Sequence, residues 1–276
     1  MPTLLGIPLD LNSSHLRGPA EAPSKIREAL GSEASNKWTE LGVDLGAPGA
    51  FADAGDLRLS DSRGKATEDF AEIERAVGQL LEKGELPMSL GGDHSVTYPI
   101  LKAFARRYPE LTIVHFDAHP DLYDEFEGSR VSHACPFARI MEERLAKRLV
   151  QVGIRTMNSH QREQAARFRV EVVEMRALPG YDRLKIDGPI YVSFDMDVLD
   201  PAFAPGISHR EPGGMTVREA IAHLHAIEGT VVGADIVEYN PGQDVAGMTA
   251  TVAAKIVKEI LGKMIAGVDA NLPQGR

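Results

Sequence analysis

Cysteine is almost absent. Cys135 is the only one in 276 residues, so no disulfide can close within the chain, and a reducing, cytoplasmic setting is expected. Basic residues are also short: 30 Lys and Arg against 40 Asp and Glu leave a formal charge of −10. That balance argues against a nucleic-acid partner and suits a cationic substrate or a metal. No apolar run approaches the ~20 residues of a membrane helix, which argues against a membrane partner. The opening residues, Met1-Pro-Thr-Leu-Leu-Gly-Ile, lack a basic stretch and read directly as a first strand, so no signal peptide is expected. Repeats, low-complexity stretches and recognisable linkers are missing too. With 43% hydrophobic residues there is enough material for a sizeable core.

What is present alternates between strand-like and helix-like segments. Strands are expected at Thr3–Pro8, Leu86–Leu90, Thr112–Phe116, Leu149–Ile154, Val170–Val173, Ile190–Phe194 and Val231–Ile236. Helices are expected from about Pro23, over 66–84, over Ser95–Arg107, through Phe137, Ile140 and Leu145, after the capping pair Thr216 and Glu219, and through Val252, Ile256, Ile260 and Met264. The β-then-α order implies a mostly parallel sheet covered on both faces. We therefore expect an α/β chain, a single domain over residues 1–276 with three layers, α/β/α.

Three polar clusters each follow an apolar run: Gly91-Gly-Asp-His94, Asp117-Ala-His-Pro-Asp121, and Asp195-Met-Asp197. In an open parallel sheet, ligands bind beyond the carboxyl ends of the strands. His94, Asp117, His119, Asp121, Asp195 and Asp197 should therefore converge on one rim. Asp117, His119 and Asp121 are spaced by two, so an extended backbone would aim them to one side. Four carboxylates and two imidazoles exceed what one ion needs, and shared carboxylates would hold two divalent ions. The oxygen-rich, thiolate-free set suits Mn²⁺, two ions per subunit, better than structural zinc.

These motifs, with Ser193 to Pro201 (S-x-D-x-D-x-x-D-P) and Asp235 to Pro241 (D-I-V-E-x-N-P), resemble the ureohydrolase family of arginases and agmatinases. The segments Phe126-Glu-Gly, Leu149–Arg155 and Pro201–His209 are similar to plant-type arginases in particular. The resemblance implies one Mn²⁺ on His94, Asp117, Asp121 and Asp195, and a second on Asp117, His119, Asp195 and Asp197. It implies that His133 passes a proton to the departing amine and that Glu238 binds the guanidinium. An imidazole suits the first role near neutral pH, and a carboxylate can accept paired N–H bonds from a planar cation. The implied reaction is hydrolysis of L-arginine to urea and L-ornithine, with agmatine or another guanidino compound as the alternative. A homo-oligomer, trimer or hexamer, is implied as well.

Arginine differs from agmatine by its α-carboxylate, and Ser129 and Arg130 are the expected donors to it. His115 reads as packing or support, Asp93 and Asp200 as loop braces, and Cys135 as no nucleophile. His223 and His225 read as solvated or structural, and His15, His160 and His209 have no supporting cluster. A binuclear phosphoesterase would also use Asp-x-His, but no Gly-Asn-His-Asp loop or basic cluster is present to hold phosphate. A deacetylase-like zinc amidohydrolase would need fewer ligands and a single metal.

Overall fold

Among the described residues of the computed structural model (1–60, 66–180 and 184–269), eight strands hydrogen-bond into one sheet. They are β1 (Pro2–Gly6), β2 (Ala52–Asp56), β3 (Leu86–Leu90), β4 (Thr112–Phe116), β5 (Arg148–Ile154), β6 (Glu171–Glu174), β7 (Leu184–Asp195) and β8 (Ile227–Val237). Their order across the sheet is β2-β1-β3-β8-β7-β4-β5-β6, and every pairing is parallel. Helices α1 (Ala22–Leu30), α6 (Val217–Ala226) and α7 (Met248–Asp269) pack together, as do α2 (Ala66–Glu82) with α3 (Thr97–Arg107), α3 with α4 (Pro136–Glu142), and α4 with α5 (Ser159–Phe168).

Strands covered on both sides need apolar residues at every position. In β4 all five residues are buried; Val114 and Phe116 join one core cluster, while Ile113 joins the other. Leu4 and Leu5 of β1 divide in the same way. Each such buried side chain contributes about 1.5–3 kcal/mol. This is the expected three-layer α/β/α arrangement.

The departures from the sequence reading have local causes. β2 has no signal in the sequence pattern, because Ala-Asp-Ala-Gly-Asp has no β-branched residue and forms an exposed edge. Arg27 of α1 pairs with Asp53 and Asp56 of that edge and helps to blunt it. α4 ends at Glu142 rather than reaching Leu145, since Arg144 adopts a left-handed φ of 55°. α5 has no periodic signal because Ser-His-Gln-Arg-Glu-Gln carries no apolar stripe; a capping box between Asn158 and Gln161 starts it instead. The box at Thr216 and Glu219 forms as expected and opens α6.

Register places the site. Phe116 of β4 lies beside Phe194 of β7, so Asp117 and Asp195 leave the sheet side by side. Asp195 pairs with Val237 of β8, and Ile236 pairs with Leu90 of β3. The strands β3, β8, β7 and β4 are neighbours, and all four end at one level.

Candidate active site

Each cluster contains the same local device. Asp93 Oδ1 accepts from Ser95 N at 3.0 Å, Asp117 Oδ1 from His119 N at 2.6 Å, and Asp195 Oδ1 from Asp197 N at 2.8 Å. An aspartate that caps the amide two residues on ends its strand and turns the next side chains across the rim. Asp121 and Glu238 hold left-handed φ values of 49° and 62°. Such backbones cost about 1–3 kcal/mol each and persist only where surrounding contacts determine them.

The convergence on one rim is found. His94 Nδ1 lies 3.2 Å from Asp117 Oδ2, 3.1 Å from Asp121 Oδ2 and 3.0 Å from Asp195 Oδ2. His119 Nδ1 lies 2.9 Å from Asp197 Oδ2 and 3.5 Å from Asp117 Oδ1. Asp117 therefore belongs to both groups. The fit to a cation follows from hydrogen-bond logic at His94. Ser193 Oγ donates to Asp235 Oδ1 at 2.7 Å, so it can only accept from His94 Nε2, 3.1 Å away. Neutral His94 then turns the lone pair of Nδ1, a buried atom with no hydrogen-bond partner, toward three carboxylate oxygens. Three anions around that nitrogen are favourable only with a positive charge at their centre, a cation facing the lone pair or, without one, a proton on Nδ1.

Electrostatics agree. Burial, then Asp197 and Asp117, push the Asp195 carboxyl well above the usual range. Burial alone would lower His94, yet without a metal its contacts with Asp117, Asp121 and Asp195 raise it well above 6.5, so the ring holds the positive charge that a cation would otherwise supply. Burial with Asp117 takes Asp197 up to about 6, against the opposing pull of His119. Divalent cations among these groups would relieve the crowding. His115 also lies within reach of His94 and Asp117, but both its nitrogens are engaged. Gln151 Nε2 donates to its Nδ1 at 3.0 Å, leaving Nε2–H to donate to Asp117 Oδ2 at 2.7 Å. His115 thus orients Asp117, as its depth in β4 suggested.

Arg155, at the end of β5, holds the other side. Its guanidinium donates to the carbonyls of Asp197 (2.6 Å), Val198 (3.2 Å), Leu199 (3.4 Å) and Glu211 (2.6 Å). One planar fork thereby ties down the segment that carries Asp197. The sequence offered no signal for this, since the acceptors are backbone oxygens.

Above these six side chains lies a cavity of about 160 Å³, whose walls include Ser14, Tyr123, His133, Gln161, His209 and Glu238. Glu238 Oε1 accepts from His94 N and from His133 Nδ1, both at 2.9 Å. Burial would depress His133, but Glu238, Asp93 and Asp121 lift it to about 9. His133 and Glu238 thus share one pocket with His119, Asp121, Asp195 and Asp197. A larger cavity of about 570 Å³ lies behind Arg155, lined by Arg162, Glu174 and Arg176 but by none of the six clustered His and Asp side chains.

Ser129 and Arg130 are placed elsewhere. Neither lines the cavity. Arg130 is half exposed and pairs with Asp124 at 2.8 Å and Glu142 at 2.9 Å, while the Ser129 hydroxyl accepts from Val131 N at 3.3 Å. The bridge between Phe126 and Ser129 folds this part of the loop back on itself, so that Phe126 lines the cavity while Ser129 and Arg130 do not. His209 also corrects the reading. It stands in the cavity wall, its ring centroid 5.2 Å from that of His133 and 6.0 Å from that of His119. Asp93 and Asp200 brace loops as expected: Asp200 accepts from the amides of Ala202, Gly213 and Gly214. His225 is tied to Glu259 at 2.9 Å, and burial pushes the Cys135 thiol up to about 12.

Comparison with known proteins fits this geometry. Residues 2–262 match the description "Arginase family". The chain belongs to the arginase family. It is 47% identical over 275 residues to "Arginase 1, mitochondrial" of Arabidopsis thaliana, covering 95% of this chain and 80% of that protein. The solved arginase from Medicago truncatula superposes with a TM-score of 0.89 at 42% identity, covering 95% of this chain and 87% of that one. An agmatinase of Bacillus subtilis is 37% identical, covering 94% and 90%. Several of these relatives are named mitochondrial, so they do not support the cytoplasmic expectation. No helix among the described residues of this arginase-family chain is long and apolar enough to cross a membrane.

Proposed function

We propose that this arginase-family enzyme is a binuclear manganese hydrolase that splits L-arginine into urea and L-ornithine. The observation that carries the reading is Asp117, shared between the His94 and His119 groups beneath the His133–Glu238 pair. His94, Asp117, Asp121 and Asp195 would hold one ion, and Asp117, His119, Asp195 and Asp197 the other. Two bound divalent ions supply Lewis acidity and lower the pKa of water towards ~7.

The chain's own side chains do the rest. Glu238 spends Oε1 on His133 and on the amide of His94, while Oε2 has no hydrogen-bond partner among the described residues. Oε2 is therefore available to accept an N–H of the substrate guanidinium and hold its carbon over the ligands. His133, kept protonated beside Glu238, donates its proton to the departing amine. The polar residues Tyr123, Thr156, Gln161 and His209 in the cavity wall are among the groups available to the amino-acid end of arginine.

Similarity favours arginine, since the arginase relatives at 44–47% identity exceed the agmatinases at 35–37%. One observation favours the agmatine reading: Arg130, the cation expected to meet the α-carboxylate, is paired elsewhere. Urea release with Mn²⁺ from arginine, agmatine and other guanidino compounds decides between them. A higher kcat/KM for agmatine would overturn the arginine assignment, and no urea from any of them would overturn the hydrolase reading. Metal analysis should approach two equivalents of manganese per chain. Light scattering tests the proposed trimer or hexamer, and cell fractionation the proposed cytoplasmic location.

A further inference from the structure

The segment Asn12–Ser14, which links β1 to the first helical turns, lies far in sequence from the catalytic motifs yet is built into the site. Asn12 N and Ser13 Oγ both donate to Asp93 Oδ2, at 3.0 and 3.2 Å, and Asn12 Nδ2 donates to Ser95 Oγ at 2.9 Å. The carbonyl of Asn12 accepts from His133 N at 3.2 Å. Further along, buried Asp10 gathers Arg17 and the amides of Gly18 and Ala20, which fixes the loop from its far side. Ser14 is thereby held over His133, and its Oγ lies 2.8 Å from Nε2.

The imidazole is gripped at both ends. Glu238 occupies Nδ1 as a carboxylate, which can only accept, so Nδ1 carries a hydrogen in both charge states of the ring. Nε2 is then the nitrogen that gains and loses the proton, and it points at Ser14. A hydroxyl suits that position because it can rotate. It donates to Nε2 when the ring is neutral and accepts from Nε2–H when the ring is charged. Ser14 also lines the cavity, so its hydroxyl stands between the imidazole and the space a substrate would fill.

We propose that Ser14 is a positioning residue for proton transfer: its hydroxyl holds the working Nε2 of His133 in place through both protonation states. The inference rests on the hydrolase reading above. The same O–H can pass a proton across, accepting one from Nε2–H while releasing its own to the amine, so that protons and charge balance.

The test compares manganese-loaded wild type with Ser14→Ala and with Ser14→Thr, which keeps the hydroxyl. Ser14→Ala should lose about 10–100-fold in kcat, the range for a hydrogen bond to a charged group. KM and manganese content should hold within twofold, about the scatter of such assays, with Ser14→Thr recovering most of the loss. Imidazole added to the buffer should raise the kcat of Ser14→Ala but not that of wild type, a rescue that a merely structural defect would not show. A kcat of Ser14→Ala close to wild type, a loss that follows manganese loss, or a threonine variant as poor as alanine would each overturn the proposal. Nitrogen-15 NMR of His133 reads the contact independently of substrate. Ser14→Ala should move the Nε2 resonance while Nδ1 stays, and an unmoved Nε2 signal refutes the contact. If wild type releases no urea while Nε2 still responds, the functional reading fails and the contact stands.

Discussion

Arg155→Ala removes a guanidinium that serves four backbone carbonyls, three of them on the buried residues Asp197, Val198 and Leu199. The bonds to Asp197 and Glu211, both 2.6 Å, are the strong ones; those at 3.2 and 3.4 Å add little. At about 1.5 kcal/mol each, the low end for a charged donor because the adjoining cavity admits water, the two strong bonds are worth about 3 kcal/mol. In a chain of this size that lowers Tm by about 6–12 °C. Three of the four carbonyls belong to the segment presenting Asp197, so if Asp197 holds manganese its affinity should fall about 10–100-fold, the usual cost of removing support behind a metal ligand. Thermal unfolding of the metal-loaded protein gives the first number and a manganese titration the second. Arg155→Lys should recover only a small part, because an ammonium cannot span four acceptors as a planar fork does. Unchanged Tm and unchanged manganese binding in Arg155→Ala, or a lysine variant equal to wild type, would refute the reasoning.

Other perturbations bear on other parts of the site. His133→Asn should lower kcat about 10²–10⁴-fold at nearly constant manganese content, and near-normal turnover would assign proton delivery to another group. Gly92→Ala would put a Cβ 1.8 Å from the carbonyl oxygen of Leu9, so the loop bearing His94 must shift; circular dichroism and metal analysis should show a destabilised, metal-poor protein. In metal-free protein the His133–Glu238 pair gives a pH signature. Because His133 is raised to about 9, its share of stability is full below pH 6.5 and is lost as pH rises through about 9. Glu238 is lowered, despite burial, by His133 and the amide of His94, so its share is present above pH 4.5 and lost only as pH falls through the lowered value. The Tm advantage of metal-free wild type over His133→Asn should therefore shrink from pH 6.5 to 10, and a constant difference would contradict the pairing.

Much of this protein is legible along the chain because the information is local. The runs Thr112–Phe116 and Ile190–Phe194 announce strands buried on both faces, and the aspartates that follow them cap their own backbones two residues on. Period-two spacing then turns Asp117 and His119 to one rim without help from distant residues. The six candidate metal positions, with Glu238 and His133 as candidate catalytic groups, follow from such patterns and from family resemblance. Local chemistry is silent on what the rest of the chain brings to them. Only strand order puts β8 between β3 and β7, and so sets Glu238 against the amide of His94. Only loop packing decides that Arg130 turns to Asp124 and Glu142, while Ser14 and His209 enter the cavity. Arg155 is the plainest instance: its acceptors are backbone carbonyls more than forty residues away. A backbone oxygen looks alike at every position in a sequence, so which four an arginine reaches is settled by the tertiary fold alone.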